Sequence, residues 1–175
     1  MRQLLLLRHA KSSWDDPRLS DHSRSLNARG REAAAGMRQA MHALDLSPDV
    51  VLVSSARRTL QTLEALLPFP ETPIIEPMNA LYLATAPQML AVLNTVAETV
   101  RSVLLIGHNP GLHELAQTLT GSASDKADAA RLAARYPTAA LAEFAVPGSW
   151  RTLGPGGARL VRFLCPRDLP LPARS

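Results

Sequence analysis

Two histidines and several arginines lie in three short polar segments, each of which directly follows an apolar run. The segments are Arg8-His9-Ala10-Lys11-Ser12, Ser54-Ser55-Ala56-Arg57-Arg58 and Gly107-His108-Asn109-Pro110. Guanidinium groups match phosphate oxygens with a planar fork of donors, and neutral imidazole, whose ordinary pKa is about 6.5, can accept a phosphoryl group. Phosphoryl transfer needs both dispersed positive donors and a nucleophile in line with the phosphorus atom. Together the three segments therefore predict a phosphate site with a histidine nucleophile.

Taken singly, each segment has an ordinary structural explanation. A histidine after a strand is usually a hydrogen-bonded structural residue, and Arg57 and Arg58 could form a solvated helix face. Residues 107–110 could be a tight turn that caps a helix. The case for a site depends on the three segments meeting at one edge of the fold.

The apolar runs before these segments have the character of strands. Six such runs occur, at residues 3–7, 50–53, 73–75, 103–106, 141–146 and 159–164. Turn-forming residues 147–148 and 154–157 separate the last two runs, so we expect these to pair antiparallel at an edge of the sheet.

Apolar residues with helical spacing lie between the strands. The expected buried faces are Ala34-Met37-Met41-Leu44, Leu60-Leu63-Leu67, Leu90-Leu93-Ala97-Val100 and Leu112-Leu115-Ala116-Leu119. Asn27 is a candidate cap for the first helix, and Asn109 and Pro110 are suited to begin the fourth, which Gly121 follows. Residues 124–135 predict a weaker, alanine-rich helix.

Strands that alternate with helices favour a mainly parallel sheet with helices on both faces. We therefore expect a single α/β domain over residues 1–175, a three-layer sandwich with an irregular, proline-rich tail from about residue 166. In open α/β sheets, ligands bind beyond the carboxyl ends of the strands. The three polar segments are expected at that edge.

Composition argues against several other classes of protein. The net charge is +4, but the basic residues are scattered and the 7 aromatic residues form no stripe, so we expect no nucleic-acid binding. No apolar run approaches the ~18 residues of a membrane span. The single cysteine, Cys165, suits a reducing, cytoplasmic compartment. No His or Cys spacing typical of a metal site occurs, so we expect no metal and no cofactor.

The three polar segments resemble the motifs of the histidine phosphatase superfamily, whose fold is phosphoglycerate mutase-like. Arg8-His9-Ala10 is similar to the Arg-His-Gly signature of that family. Residues 54–62 resemble its motif Ser-x-x-x-Arg-Ala-x-Gln-Thr, in a register that matches Arg58 rather than Arg57 to the phosphate-binding arginine. Residues 107–109 resemble its second histidine motif.

Within the superfamily, the chain is most similar to the small SixA-type phosphohistidine phosphatases, over about residues 3–165. Further matches lie at residues 8–12, 21–31, 80–82, 107–111 and 137–140. The resemblance implies that Arg8, Arg24, Arg58 and His108 surround the phosphate and that His9 attacks it. It also implies a partner as substrate, a protein phosphorylated on histidine such as a phosphotransfer domain.

The chain departs from the wider superfamily at two places. Ala10 replaces the signature glycine, which SixA-type members tolerate. Larger members carry a carboxylate after the third strand as general acid, and here Asp21 and Glu76 are only weak candidates for that role. A phosphoramidate needs less help from an acid, because its leaving imidazole is less basic than an alkoxide.

Two alternatives to a phosphohistidine phosphatase stay open. One is a small-molecule phosphomonoesterase or mutase of the same superfamily, and the other is a non-catalytic module that binds phosphate or phosphoproteins. An intact His9 argues against a pure binder. Only about ten residues separate the third strand from a helix expected near Pro87, which leaves no room for a large lid over a metabolite. The oligomeric state is not predicted.

Overall fold

A computed structural model describes residues 1–170 and contains a six-stranded sheet. The strands are β1 (Arg2–Arg8), β2 (Val50–Ser54), β3 (Ile74–Met78), β4 (Ser102–Gly107), β5 (Leu141–Val146) and β6 (Arg159–Leu164). Their order across the sheet is β3-β2-β4-β1-β5-β6. The first four of these are mutually parallel, whereas β5 runs antiparallel to both β1 and β6.

Five α-helices connect the strands. They are α1 (Ala28–Ala43), α2 (Arg57–Leu66), α3 (Ala86–Asn94), α4 (Gly111–Leu119) and α5 (Lys126–Ala134). The side chain of Asn27 caps α1 by accepting a hydrogen bond from the backbone N–H of Gly30, as expected. Among residues 1–170, no helix has both the length and the apolar character that crossing a membrane requires.

The leucine run of β1 shows how the sheet divides two cores. Leu4 and Leu6 pack with α3, α4 and α5 on one face, and Leu5 and Leu7 pack with α1 and α2 on the other. Successive strand residues point to opposite faces, so a strand covered by helices on both sides reads as a continuous apolar run. The predicted three-layer, mainly parallel α/β architecture is confirmed.

Several boundaries differ from those expected. Leu44 lies beyond the end of α1 and is 37% exposed, and α3 ends at Asn94, before Ala97 and Val100. Helical spacing persists in the sequence beyond both helices, although the backbone is no longer helical there. At the start of α4, Pro110 is the capping residue, and the side chain of Asn109 instead accepts a hydrogen bond from the backbone of His113.

The segment after β6 is not wholly irregular. A 3₁₀ helix forms at Pro166–Asp168, and Leu169 packs against the core on the α1 and α2 side. The rest of the expected irregular tail, residues 171–175, lies outside the described residues.

The sheet places the three polar segments at one edge. Arg8, the last residue of β1, is level with Gly107, the last residue of β4, and β2 ends beside β4 at Ser54. The chain leaves β1 toward β2 on one side and leaves β4 toward β5 on the other. The strand order therefore reverses between β1 and β4, which is where open α/β sheets bind ligands.

Candidate active site

His9 follows β1 and is held in one orientation by the next residue. Its Nδ1 lies 2.7 Å from the carbonyl oxygen of Ala10, which can only accept, so Nδ1 carries the proton and Nε2 keeps its lone pair. The side chain is buried, and the pKa of His9 is lowered to about 4. Burial is the largest cause, and the positive charges of Arg58, Arg8 and Arg24 contribute to the same shift. The hydrogen bond to Ala10 opposes this shift only in part. The imidazole of His9 is therefore neutral at physiological pH.

Arg58 lies in the first turn of α2 and is 2% exposed, while its neighbour Arg57 faces solvent. Its two terminal nitrogens donate to the backbone oxygen of Asp21 at 2.7 Å and to the carboxylate of Asp21 at 3.0 Å. The second nitrogen also lies 3.3 Å from Nδ1 of His108. The register suggested by the motif is thus the one that brings Arg58, and not Arg57, to the site.

Arg8 and Arg24 approach from β1 and from the segment before α1. One terminal nitrogen of Arg8 donates to the backbone oxygen of Tyr136 at 3.1 Å. Arg24, 7% exposed, donates to Ser12 Oγ at 2.7 Å, and its guanidinium carbon lies 3.4 Å from the centre of the exposed Trp14 ring.

Two guanidinium groups of the site retain unused donors. The Nε atoms of Arg8 and Arg58 are buried and have no hydrogen-bond partner. A buried donor without an acceptor is destabilising in a resting protein. Such donors beside a neutral His9 suit a phosphoryl group that would supply the oxygens.

Asp21 connects the arginines instead of standing ready as an acid. Its carboxylate pairs with Arg24 at 3.1 Å and with Arg58 at 3.0 Å, and it also accepts a hydrogen bond from the hydroxyl of Tyr82. Burial alone would raise the pKa of Asp21, but the hydrogen bonds from Tyr82, Arg58 and Arg24 outweigh it and lower the pKa to about 2. The resting carboxylate is ionised, which argues for a role in positioning arginines.

The other acid candidate, Glu76, lies away from these contacts. It is an exposed residue in the middle of the edge strand β3, level with Leu52. Within residues 1–170, Glu76 makes no hydrogen bond with Arg8, His9, Arg58 or His108.

His108 is 2% exposed and has both ring nitrogens engaged in the resting site. Arg58 can only donate, so Nδ1 of His108 accepts, and Nε2 donates to Ser54 Oγ at 2.7 Å. Burial, with the charges of His9 and Arg58, lowers the pKa of His108 to about 3. A phosphoryl oxygen that contacts Nδ1 would have to displace Arg58 from it and require a proton there.

The aromatic rings complete the enclosure of the site. The centres of the His9 and His108 rings are 5.3 Å apart, and Tyr82 meets His108 edge-on at 5.5 Å. The whole arrangement is a cluster of guanidinium donors around two neutral imidazoles, His9 and His108. Such a cluster can bind a tetrahedral anion and accept a phosphoryl group from it.

Comparisons with known proteins agree with this geometry. The family model described as the histidine phosphatase superfamily (branch 1) matches residues 4–78. An uncharacterised protein of Mycobacterium tuberculosis is 35% identical over 165 residues, which cover 92% of this chain and 100% of the relative. The chain belongs to the histidine phosphatase superfamily.

Two solved structures extend the likeness across the fold. A candidate phosphohistidine phosphatase SixA from Agrobacterium tumefaciens is 29% identical, with a TM-score of 0.80 over 94% of this chain and 97% of that one. A second candidate SixA, from Nakamurella multipartitia, is 28% identical, with a TM-score of 0.81 over 94% of this chain and 96% of that one. The superfamily match and these neighbours support phosphatase activity, so the chain is an enzyme of the phosphatase class.

The sequence motifs predict which arginines and histidines form the site, but they do not predict the groups that hold these side chains. Arg8, His9, Arg24, Arg58 and His108 all converge in the structure. The ion pairs of Asp21 with both Arg24 and Arg58 are not predicted by the motifs, because they form only where two separate segments meet in the fold. Among residues 1–170, no group of three or more His, Cys, Asp or Glu side chains is placed to hold a metal ion, and metal independence stays a prediction.

Proposed function

We propose that this phosphatase removes phosphoryl groups from phosphohistidine on a partner protein, through a covalent phosphohistidine at His9. The observation that carries the proposal is the neutral His9, with Nε2 unprotonated, among the guanidinium groups of Arg8, Arg24 and Arg58. Arginine donors bind the phosphoryl oxygens and neutralise the charge that develops during transfer. The fixed tautomer spares the enzyme a deprotonation step before attack.

The reaction then has two transfers. Nε2 of His9 forms a bond to phosphorus as the bond to the substrate imidazole breaks, and the departing imidazole takes a proton from water. A second water molecule attacks the phosphorus of phosphorylated His9, loses its proton to solvent and releases inorganic phosphate. The electron pair of the broken bond returns to Nε2, which restores the neutral ring.

The chemistry of the site suits a phosphorus–nitrogen bond. Asp21 is ionised by its hydrogen bonds, and Glu76 is exposed on β3, so neither is placed as a proton donor to a leaving group. An alkoxide leaving group would need such a donor more than imidazole does. Among phosphorylated substrates, phosphohistidine therefore depends least on a proton donor to the leaving group, which the resting site does not offer.

The surroundings of the site suit a protein substrate. Only residues 79–85 connect β3 to α3, which leaves no room there for a large lid over the site. Helix α5 packs against α4 and β6 through the buried Leu132. Trp14 is 75% exposed and stacks on Arg24 at the margin of the phosphate site. An exposed tryptophan beside a charged site is typical of a surface that contacts another protein.

Two similar structures carry a description that fits the proposal. The proteins from Agrobacterium tumefaciens and Nakamurella multipartitia are both described as candidate phosphohistidine phosphatases. That description is theirs, and for this chain it supports the choice of substrate class.

A turnover comparison tests the proposal. We would measure kcat/KM on a phosphotransfer protein phosphorylated on histidine, and on a panel of sugar and nucleotide monophosphates, each with and without EDTA. We expect a preference of at least tenfold for the phosphoprotein and no effect of EDTA, because arginines supply the charge that a metal ion supplies elsewhere. A metabolite preferred by tenfold would identify a small-molecule phosphatase, and no turnover of any substrate would identify a binding module.

We also infer a cytoplasmic location from the use of cysteine. Cys165 is the single cysteine, and its thiol is buried and free. This pattern fits a reducing compartment. Cell fractionation followed by immunodetection would test the inference, and recovery from an oxidising compartment would overturn it.

A further inference from the structure

Helix α2 contacts more of the site than Arg58 alone. Its next turn carries Gln61 and Thr62, two polar residues of the same motif, and both bond to the backbone of other site segments. Gln61 Oε1 accepts the backbone N–H of Leu26 at 2.8 Å, next to the segment that carries Arg24. Thr62 reaches the segment that carries His9.

Thr62 joins Arg58 to the residue after the nucleophile. Its hydroxyl donates to the backbone oxygen of Arg58 at 2.7 Å and accepts the backbone N–H of Ala10 at 3.0 Å. Both Thr62 and Ala10 are fully buried. Water therefore cannot replace this hydroxyl at low cost if it is removed.

Ala10 in turn sets the state of His9. Its carbonyl oxygen accepts the Nδ1 proton of His9 at 2.7 Å, which keeps Nε2 unprotonated and fixes the plane of the ring. A displacement of Ala10 therefore changes the direction of the Nε2 lone pair. The hydroxyl of Thr62 is the link between that direction and the helix turn that carries Arg58.

We propose that Thr62 is a positioning residue, which fixes the line of attack of His9 relative to the phosphoryl group held by Arg58. The inference rests on the proposed role of His9 as nucleophile. It assigns a physical reason to the spacing Arg58-x-x-x-Thr62, because residues four apart lie on the same face of a helix. One face of α2 thus carries both Arg58, which donates hydrogen bonds to the phosphoryl group, and Thr62, which supports the nucleophile.

Other bonds keep the His9 segment folded without Thr62. The backbone N–H of His9 donates to Gly107 and that of Ala139 donates to His9, both at 3.1 Å, and Asn27 donates to Lys11 at 3.0 Å. These bonds attach the segment to β4, to the turn before β5 and to the start of α1. Loss of the Thr62 hydroxyl should therefore shift Ala10 slightly and leave the fold intact.

The test compares Thr62→Val, which keeps the shape and removes the hydroxyl, with Thr62→Ser, which keeps the hydroxyl. Thr120→Val is the matched control, since the Thr120 hydroxyl also donates to the carbonyl four residues earlier, at 2.7 Å, but holds no site segment. We expect Thr62→Val to lower kcat by about 10- to 100-fold, because small misplacements of reacting groups cost rates of this order. The inhibition constant of inorganic phosphate should change less than about threefold, as the arginines are untouched.

The conservative variants decide between positioning and general damage. Thr62→Ser should recover kcat to within about threefold of the wild type, and Thr120→Val should match the wild type. An unchanged kcat in Thr62→Val would overturn the proposal. So would a parallel loss of phosphate binding and turnover that Thr62→Ser fails to rescue.

Two further measurements keep the test decisive. If Thr62→Val does not fold, as judged by circular dichroism and thermal melting, Thr62→Ala is compared with Thr62→Ser in its place. Nitrogen-15 shifts of the His9 ring should report a mixture of tautomers in the hydroxyl-free variants and a single tautomer in the wild type. A His9→Ala enzyme that retains turnover would refute the proposed function itself, and would do so whatever Thr62 does.

Discussion

The floor and the rim of the site are built in opposite ways. The floor consists of Arg8, His9, Arg58 and His108, at the ends of β1 and β4 and the start of α2, and all of these residues but Arg8 are buried. The rim, residues 12–20, has no regular secondary structure beyond one isolated bridge, and it carries Trp14, which is 75% exposed. Each floor residue has its orientation fixed by hydrogen bonds, whereas the side chains of the rim mostly face water.

The contrast separates chemistry from choice of substrate. Rigid, buried elements hold reacting groups to the tolerance that phosphoryl transfer requires, and exposed loops can change with little effect on folding. We therefore expect floor substitutions to lower turnover of every substrate. Rim substitutions should act on some substrates and spare others.

The largest effect should come from His9, the proposed nucleophile of the floor. His9→Ala should lower kcat by about 10⁴-fold or more, since both ring nitrogens of the neighbouring His108 are already hydrogen-bonded. Phosphate should still bind, because the arginines remain. Rapid-quench labelling should detect an acid-labile phosphoenzyme in the wild type and none in the variant; near-normal turnover of His9→Ala would refute the mechanism.

Adjacent arginines offer the sharpest test of the floor's boundary. Arg58→Ala should lower kcat/KM by about 10²–10³-fold, the usual cost of one preorganised donor. Arg57→Ala, on the solvent side of the same helix turn, is the matched control and should lose less than about threefold. Steady-state kinetics on one substrate are sufficient. Equal losses in the two variants would mean that Arg57 belongs to the floor as much as Arg58 does.

Burial of the floor histidines should be visible in a pH titration. The pKa of His9 is lowered to about 4 in the folded protein, so the unfolded chain binds a proton at higher pH than the folded chain does. The stability that the neutral ring contributes is thus present above pH ~6.5 and is lost as pH falls toward the folded pKa. Denaturant unfolding at pH 7, 5.5 and 4.5 should show this decline, and His9→Asn should flatten it.

Nuclear magnetic resonance gives an independent check on the same point. The His9 ring should titrate with a midpoint near 4, and His108 with one near 3. A His9 midpoint at the ordinary value of about 6.5 would show that the floor is wetter than its burial indicates.

The smallest effect should come from the rim and should depend on the substrate. Trp14→Ala should lower kcat/KM by about tenfold on a phosphorylated protein, the range of a moderate interface contact, and by less than about twofold on free phosphoramidate. Ile74→Ala is the control, as Ile74 is 63% exposed on β3, at the edge of the sheet. Equal losses on both substrates would mean that Trp14 acts through Arg24 on phosphate binding, and the division into floor and rim would fail.

The sequence predicted the floor better than its supports, for a physical reason. Strands β1, β2 and β4 have strong local patterns, and each is followed by its polar segment at the carboxyl edge of the sheet, so the places of His9, Arg58 and His108 could be predicted from these patterns and from the family motif. The state of Asp21 could not, since its pKa depends on Arg24, Arg58 and Tyr82, which come from three separate segments.

The boundary errors have a related cause. The apolar spacing of α3 continues to Val100, although the helix ends at Asn94. Val100 still packs on the core from the loop beyond, so burial outlasts the helix that periodicity predicts. At the end of α1 the same spacing fails for burial as well, because Leu44 is 37% exposed.

The stacking of Trp14 on Arg24 equips the protein with an intrinsic optical sensor. The chain has two tryptophans, of which Trp150 is fully buried and Trp14 is exposed to water. A soluble quencher should therefore reduce the fluorescence of Trp14 selectively. The Arg24 guanidinium lies 3.4 Å from the Trp14 ring centre, and we propose that it also binds the phosphoryl group. Any oxyanion that draws Arg24 inward should change the brightness of Trp14, so occupancy could be followed in real time, without a label and without turnover.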